Sequence, residues 1–126
     1  MKISALEQLA DVTACLLEQL RQWQISEEKQ MDIRLCVMEA VQNGLLYGCP
    51  TGGQPAEVRL RWQCSREGFV FQVADNGPGV PQKLRCRSWD ALPLEEHGRG
   101  ILLLQAILDE VSFNEAGNCI TGRISW

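Results

Sequence analysis

Between Leu35 and Leu46 the chain reads LCVMEAVQNGLL, and only Glu39, Gln42 and Asn43 in that stretch are polar. A helix that is apolar nearly all round cannot stand at a surface, so other elements must cover it. Its start is marked by Ser26, followed by Glu27 and Glu28, because side-chain oxygens and carboxylates suit a helix N-terminus. Gly48 and Pro50 stop it after about Tyr47. A chain of 126 residues, 45% of them hydrophobic, has the apolar material for one core around such a helix. One domain spanning residues 1–126 is therefore expected.

The enclosing elements follow from periodicity. Ser4-Ala5-Leu6-Glu7 has the form of a capping box, with Ser4 at the N-cap and Glu7 reaching back. Leu6, Leu9, Ala10, Thr13, Leu16, Leu17 and Leu20 recur at helical spacing, which predicts a first helix from about Ala5 to Gln24. In AEVRLRWQC, Val58, Leu60, Trp62 and Cys64 alternate with polar residues, as in a half-buried strand. SREG is a turn and FVFQVAD the returning strand. GRGILLLQAILDEV predicts a buried helix behind a glycine-rich start, and VSF with CITGRISW a closing hairpin. The stretch from about 80 to 97, with Pro81, Pro93 and mixed charge, is long for a structureless connection and is expected to be a functional lid. The order helix, helix, hairpin, lid, helix, hairpin implies an α+β fold. It would be a two-layer α/β sandwich with helices on one face of a mixed, mainly antiparallel sheet.

Several function classes are disfavoured. The net charge of −4 and a pI near 5.0 argue against a broad nucleic-acid or anionic-membrane surface. No apolar run approaches the roughly 18 residues of a membrane span. The opening MKISALEQLAD lacks a signal peptide's apolar core, so a cytoplasmic location is expected. The six cysteines, at 15, 36, 49, 64, 86 and 119, form no CxxC pair, and one histidine gives little help to a zinc site. They are expected to be reduced and mostly buried, with redox sensing as the alternative.

Three constellations could carry chemistry. Glu39 and Asn43 lie four apart, hence on one helix face, within apolar surroundings where an unpartnered polar group is costly. A carboxylate can act as general base and an Asn carbonyl oxygen can ligate magnesium; both could equally bond nearby backbone. Asp75-Asn76-Gly77-Pro78-Gly79 follows a strand directly. Its carboxylate could accept from an exocyclic amine, and its glycines permit close approach of a ligand, but the same residues make an ordinary tight turn. Gly98-Arg99-Gly100 precedes an apolar helical run. Amides at a helix start can face phosphate oxygens, although two hinge glycines would read the same way. The last segment lacks the lysine and spacing of a P-loop and the third glycine of a dinucleotide fingerprint.

In this order, the three stretches EAVQNGLLYG, DNGPGVP and HGRGILLLQ resemble the N-box and two glycine boxes of the GHKL ATPase superfamily. The short length and the ending GILLLQAILDEVSFNEAGNCITGRI further resemble the anti-sigma-factor serine kinases of the RsbW and SpoIIAB type. The resemblance runs from about Ile25 onward. It implies that Glu39 is the general base and that Asn43 ligates Mg2+. It implies that Asp75 holds the adenine amine beside Gly77, that Gly79 hinges the lid, and that Gly98, Arg99 and Gly100 meet the phosphates of ATP. It also implies a STAS-domain anti-anti-sigma protein as phosphorylation substrate, a sigma factor as sequestered partner, and a homodimer. Family members usually open on a strand, and only Met1-Lys2-Ile3 precedes Ser4 here, so that strand is expected to be short or absent. Two alternatives stand beside the kinase: a non-catalytic ATP-binding regulatory module, and the catalytic part of a histidine kinase. Against the second, His97 is the one histidine and the first helix holds none.

Overall fold

The computed structural model describes residues 1–47, 56–77 and 96–126. The elements run β1 (Lys2–Ile3), a single 3₁₀ turn (Leu6–Gln8), α1 (Leu9–Arg21), α2 (Glu27–Tyr47), β2 (Val58–Cys64), β3 (Gly68–Asp75), α3 (Glu96–Ile107), β4 (Glu110–Phe113) and β5 (Cys119–Ser125). The strands form one sheet in the order β1-β2-β3-β5-β4, and every pairing among the described residues is antiparallel, where a mixed, mainly antiparallel sheet was expected.

Alternation decides which way the sheet faces. Val58 and Leu60 of β2, Phe69, Phe71 and Val73 of β3, and Ile120 and Ile124 of β5 are all buried on one side. The intervening Arg59, Arg61, Gln63, Gln72 and Arg123 are exposed on the other. Three rows of helix residues cover the apolar side. They are Leu9, Val12, Leu16 and Leu20 of α1; Ile33, Cys36, Val37, Ala40 and Val41 of α2; and Leu104 with Leu108 at the end of α3. The result is the two-layer α+β arrangement that the element order implies.

Helix α2 is less enclosed than its composition suggests. Its buried row faces the sheet, but Leu35 is 46% exposed and Met31 61% exposed on the opposite side. Two helices and one sheet cover only part of a helix's circumference, so its apolar excess remains at the surface. Its N-cap is as expected: Ser26 Oγ accepts the Lys29 N–H at 3.2 Å.

The start of the chain departs from expectation in one detail. The capping box from Ser4 to Glu7 does not form. The tight turn at Leu6–Gln8 brings the Gln8 carboxamide back instead, and its Oε1 accepts the amides of Ser4 (2.7 Å) and Ala5 (3.1 Å). At its other end α1 stops at Arg21, short of Gln24, because Gln24 takes a left-handed backbone (φ 54°) that reverses the chain. The opening strand exists but is short: Lys2 pairs with Arg59 and Ile3 with Val58. With β4 at the other edge, both outer strands are short, which limits edge-to-edge association.

Two glycines are required by contacts. A Cβ on Gly68 would overlap the Ile124 carbonyl oxygen where the β2–β3 turn meets β5. Gly122 lies opposite Phe71 in the β3–β5 register. A Cβ there would stand 2.5 Å from Phe71 Cε1 and 2.7 Å from Leu108 Cδ1. The missing side chain is the space in which the Phe71 ring and the end of α3 meet. Gly122→Ala is expected to destabilise the fold by about 1–3 kcal/mol through overpacking, read as a lower urea midpoint with unchanged m-value.

Candidate functional site

Two segments of different origin meet where α2 passes over the end of the sheet. Gly44, one residue after Asn43, is buried. A Cβ on it would lie 2.8 Å from Val58 Cγ2 and 3.6 Å from Asp75 Cβ. Val58 and Asp75 are themselves cross-strand partners on the helix-facing side of β2 and β3. The absent side chain thus lets the α2 backbone settle directly onto the strand end that carries Asp75. Glu39, Gln42 and Asn43 are half-buried on the same helix. The sequence reading singled out the polar residues and passed over Gly44, although a glycine inside a buried helix signals close packing.

Asp75 is half-buried, and its Oδ1 accepts the Gly77 N–H at 2.8 Å. Burial raises its pKa, and the Gly77 amide partly opposes that by favouring the anion. The turn around it is tied on two sides. Asn76 Oδ1 accepts the Glu57 N–H at 2.9 Å, next to β2. The Asp75 N–H donates to the Asn118 carbonyl at 2.8 Å, next to β5. An ordinary surface turn needs neither tie.

Glu39 is also raised above its usual value by burial. Its charge and that of Asp32 add to burial in pushing the Cys36 thiol up to about 12. Cys36 therefore holds almost no thiolate at neutral pH and is a packing residue. Among the described residues Cys36 is buried, Cys64 and Cys119 are half-buried, Cys15 is exposed, and all four are free. The described thiols are less uniformly buried than expected, and burial raises Cys64 and Cys119 as well.

The third constellation lies at the start of α3, which opens at Glu96, slightly earlier than the sequence implied. Amides at the start of a helix have no partner inside it, and here they include those of Glu96, His97 and Gly98. Gly100 is the fifth residue, and its amide has the Glu96 carbonyl as an in-helix acceptor. Gly79 and most of the expected lid, residues 80–95, lie outside the described residues. So do Gly48, Pro50, Cys49 and Cys86.

Comparison with known proteins gives these positions a frame. The family model of the histidine kinase-like ATPase domain matches residues 3–124. The chain belongs to that family. It is therefore a member of a kinase-related group of ATP-using domains, and the GHKL-type resemblance holds over nearly its whole length. Among solved structures, the catalytic domain of histidine kinase ThkA, in a nucleotide-free form, is similar in fold. The TM-score is 0.57 at 16% identity, over 99% of this chain and 94% of that one. No curated protein sequence matches the chain. No helix among the described residues is long and apolar enough to cross a membrane.

Burial of the two carboxyls makes the site costly to the fold. Both Asp75 and Glu39 bind a proton more readily folded than unfolded. The stability they contribute is complete below their unfolded values near pH 4 and is lost as pH rises through the raised folded values. Glu39→Gln is therefore expected to make the nucleotide-free protein more stable than wild type near neutral pH. The advantage should shrink toward pH 4 in urea midpoints measured across that range.

Proposed function

We propose that the chain is an ATP- and Mg2+-dependent protein serine/threonine kinase that acts as an anti-sigma-factor-type switch in the cytoplasm. Its substrate would be a STAS-domain anti-anti-sigma protein, and its sequestered partner a sigma factor. The observation that carries the reading is the seating of α2 on the end of β3 at Gly44, which sets the helix bearing Glu39 and Asn43 beside Asp75. Family membership supports the use of ATP. The RsbW-like ending of the sequence supports the choice of a protein hydroxyl as acceptor.

The roles follow from the chemistry of each group. Asp75 accepts from the exocyclic amine of adenine, with Gly77 forming the adjacent wall and Gly79 the hinge of the lid. Amides at the start of α3, that of Gly98 first, with Arg99 and Gly100 nearby, face the phosphates. Asn43 offers a hard oxygen to Mg2+, and Glu39 is within one helical turn of it. Among the described residues no cluster of three or more His, Cys, Asp or Glu could hold a metal alone. The donor set fits an ion that takes few protein ligands and completes its shell from phosphates and water. Mg2+, when bound, neutralises charge on the transferring phosphate.

Glu39 accepts the proton of the attacking hydroxyl as the new oxygen–phosphorus bond forms. The bond from the γ-phosphorus to the bridging oxygen breaks, and ADP leaves with that electron pair. A carboxylate raised by burial is a better proton acceptor than one in water, which suits this step.

Titration with ATP, ADP and Mg2+ alongside a phosphoryl-transfer assay on a STAS protein encoded nearby tests the reading. Asp75→Asn should lower ATP affinity about a hundredfold while the fold persists. Glu39→Ala should retain ATP binding and lose transfer by about a hundredfold or more. ATP binding without transfer by the wild type would refute the kinase and leave a non-catalytic nucleotide-binding module. Full ATP affinity in the Asp75 variant would return that segment to a structural turn.

A further inference from the structure

The β4–β5 turn is built around one side chain that the proposed mechanism does not use. Asn114, directly after β4, turns its carboxamide oxygen into the loop. It accepts the amides of Gly117 (2.8 Å), Asn118 (3.0 Å) and Cys119 (3.1 Å). Its Nδ2 donates to Asn118 Oδ1 at 2.8 Å. The backbone closes the same loop: the Asn114 N–H donates to the Cys119 carbonyl and the Gly117 N–H to the Asn114 carbonyl. Gly117 takes a left-handed φ of 79°, which lets the three amides converge.

The far side of this loop touches the base-reading turn. The carbonyl of Asn118 accepts the Asp75 N–H at 2.8 Å, and Asn118 Nδ2 reaches the Gly77 carbonyl at 3.5 Å. Asp75 also lies close enough for its charge to act on the Cys119 thiol. In the β3–β5 register Ala74 faces Cys119. The next rung therefore sets Asn118 against Asp75, on the helix-facing side. Asn114 fixes Asn118, and Asn118 fixes the backbone of Asp75 and Gly77.

We infer that Asn114 is a positioning residue for base selection: it holds the β4–β5 turn in the one shape that aims the Asp75 carboxylate at the exocyclic amine. The inference rests on the reading of Asp75 as the group that recognises adenine. Removing the hub leaves Asp75 chemically intact but free to shift with its turn. A hydrogen bond used for discrimination is sensitive to such a shift, whereas contacts to phosphate and sugar are not.

ATP and inosine triphosphate separate these effects, because inosine carries a carbonyl where adenine carries the amine. Both nucleotides are titrated calorimetrically into the wild type, Asn114→Ala and Asn114→Asp, with urea midpoints recorded for each protein. The wild type should prefer ATP. In Asn114→Ala, ATP affinity should fall about tenfold with inosine triphosphate nearly unchanged, so that the preference contracts by the same factor. Asn114→Asp should recover most of it, since a carboxylate oxygen still accepts the three amides. If Asn114→Ala does not fold, Asn114→Ser, which loses the donor to Asn118, is read by the same ratio. An equal loss for both nucleotides, or an undiminished preference for ATP, overturns the positioning role. A wild type that binds triphosphates without preferring ATP overturns the assignment of Asp75 itself, and the inference falls with it.

Discussion

The contact on which the molecule turns is the approach of α2 to the sheet at Gly44. Everything the helix brings, its buried row of Ile33, Val37 and Val41 and its polar residues Glu39 and Asn43, is set in height and angle by a point where no side chain intervenes. Hydrophobic burial supplies the attraction, but burial is indifferent to small sliding motions. Val58 below the glycine supplies the stop. The same contact ends at Asp75, so the packing that stabilises the core also determines the spacing of the polar groups above it.

That arrangement half-buries two carboxyl groups, and both respond by holding protons more tightly. A fold chosen only for stability would use amides or apolar residues at positions 39 and 75. Retaining acids there is a local conflict between stability and chemistry, of the kind that marks functional sites. Cys36 shows the contrast within one helix face: it feels both burial and nearby carboxylates, yet its shift makes it unreactive.

Much of this was legible in the sequence because the signals were local. Alternation at Val58, Leu60, Trp62 and Cys64 and the run FVFQVAD located β2 and β3 to within two residues, and Ser26 marked the start of α2. What escaped was geometry that no local pattern encodes. The capping box misled because the first turn is tight, which exchanges Glu7 for Gln8. Leu35 read as core because composition cannot tell how much of a helix its neighbours will cover. Of the candidate site, Glu39 and Asn43 were visible as polar groups in an apolar helix, and Asp75 as an acid at a strand end before glycines. Gly44 and Asn114 were not, since each acts only through a contact across the fold: Gly44 by what it lets approach, Asn114 by the shape it gives a distant backbone.

The strand order β1-β2-β3-β5-β4 has a consequence for how such a chain comes into being. β5, which follows the other four described strands in the chain, lies between β3 and β4. Until β5 is made, β3 has one open flank: its backbone groups that face β5 are unmatched, and Phe71 lacks the strand it packs beside. The sheet closes only when Cys119–Ser125 can insert. That insertion delivers Asn118 to Asp75 in the same step. Completion of the core and anchoring of the Asp75 turn to β5 are therefore one event.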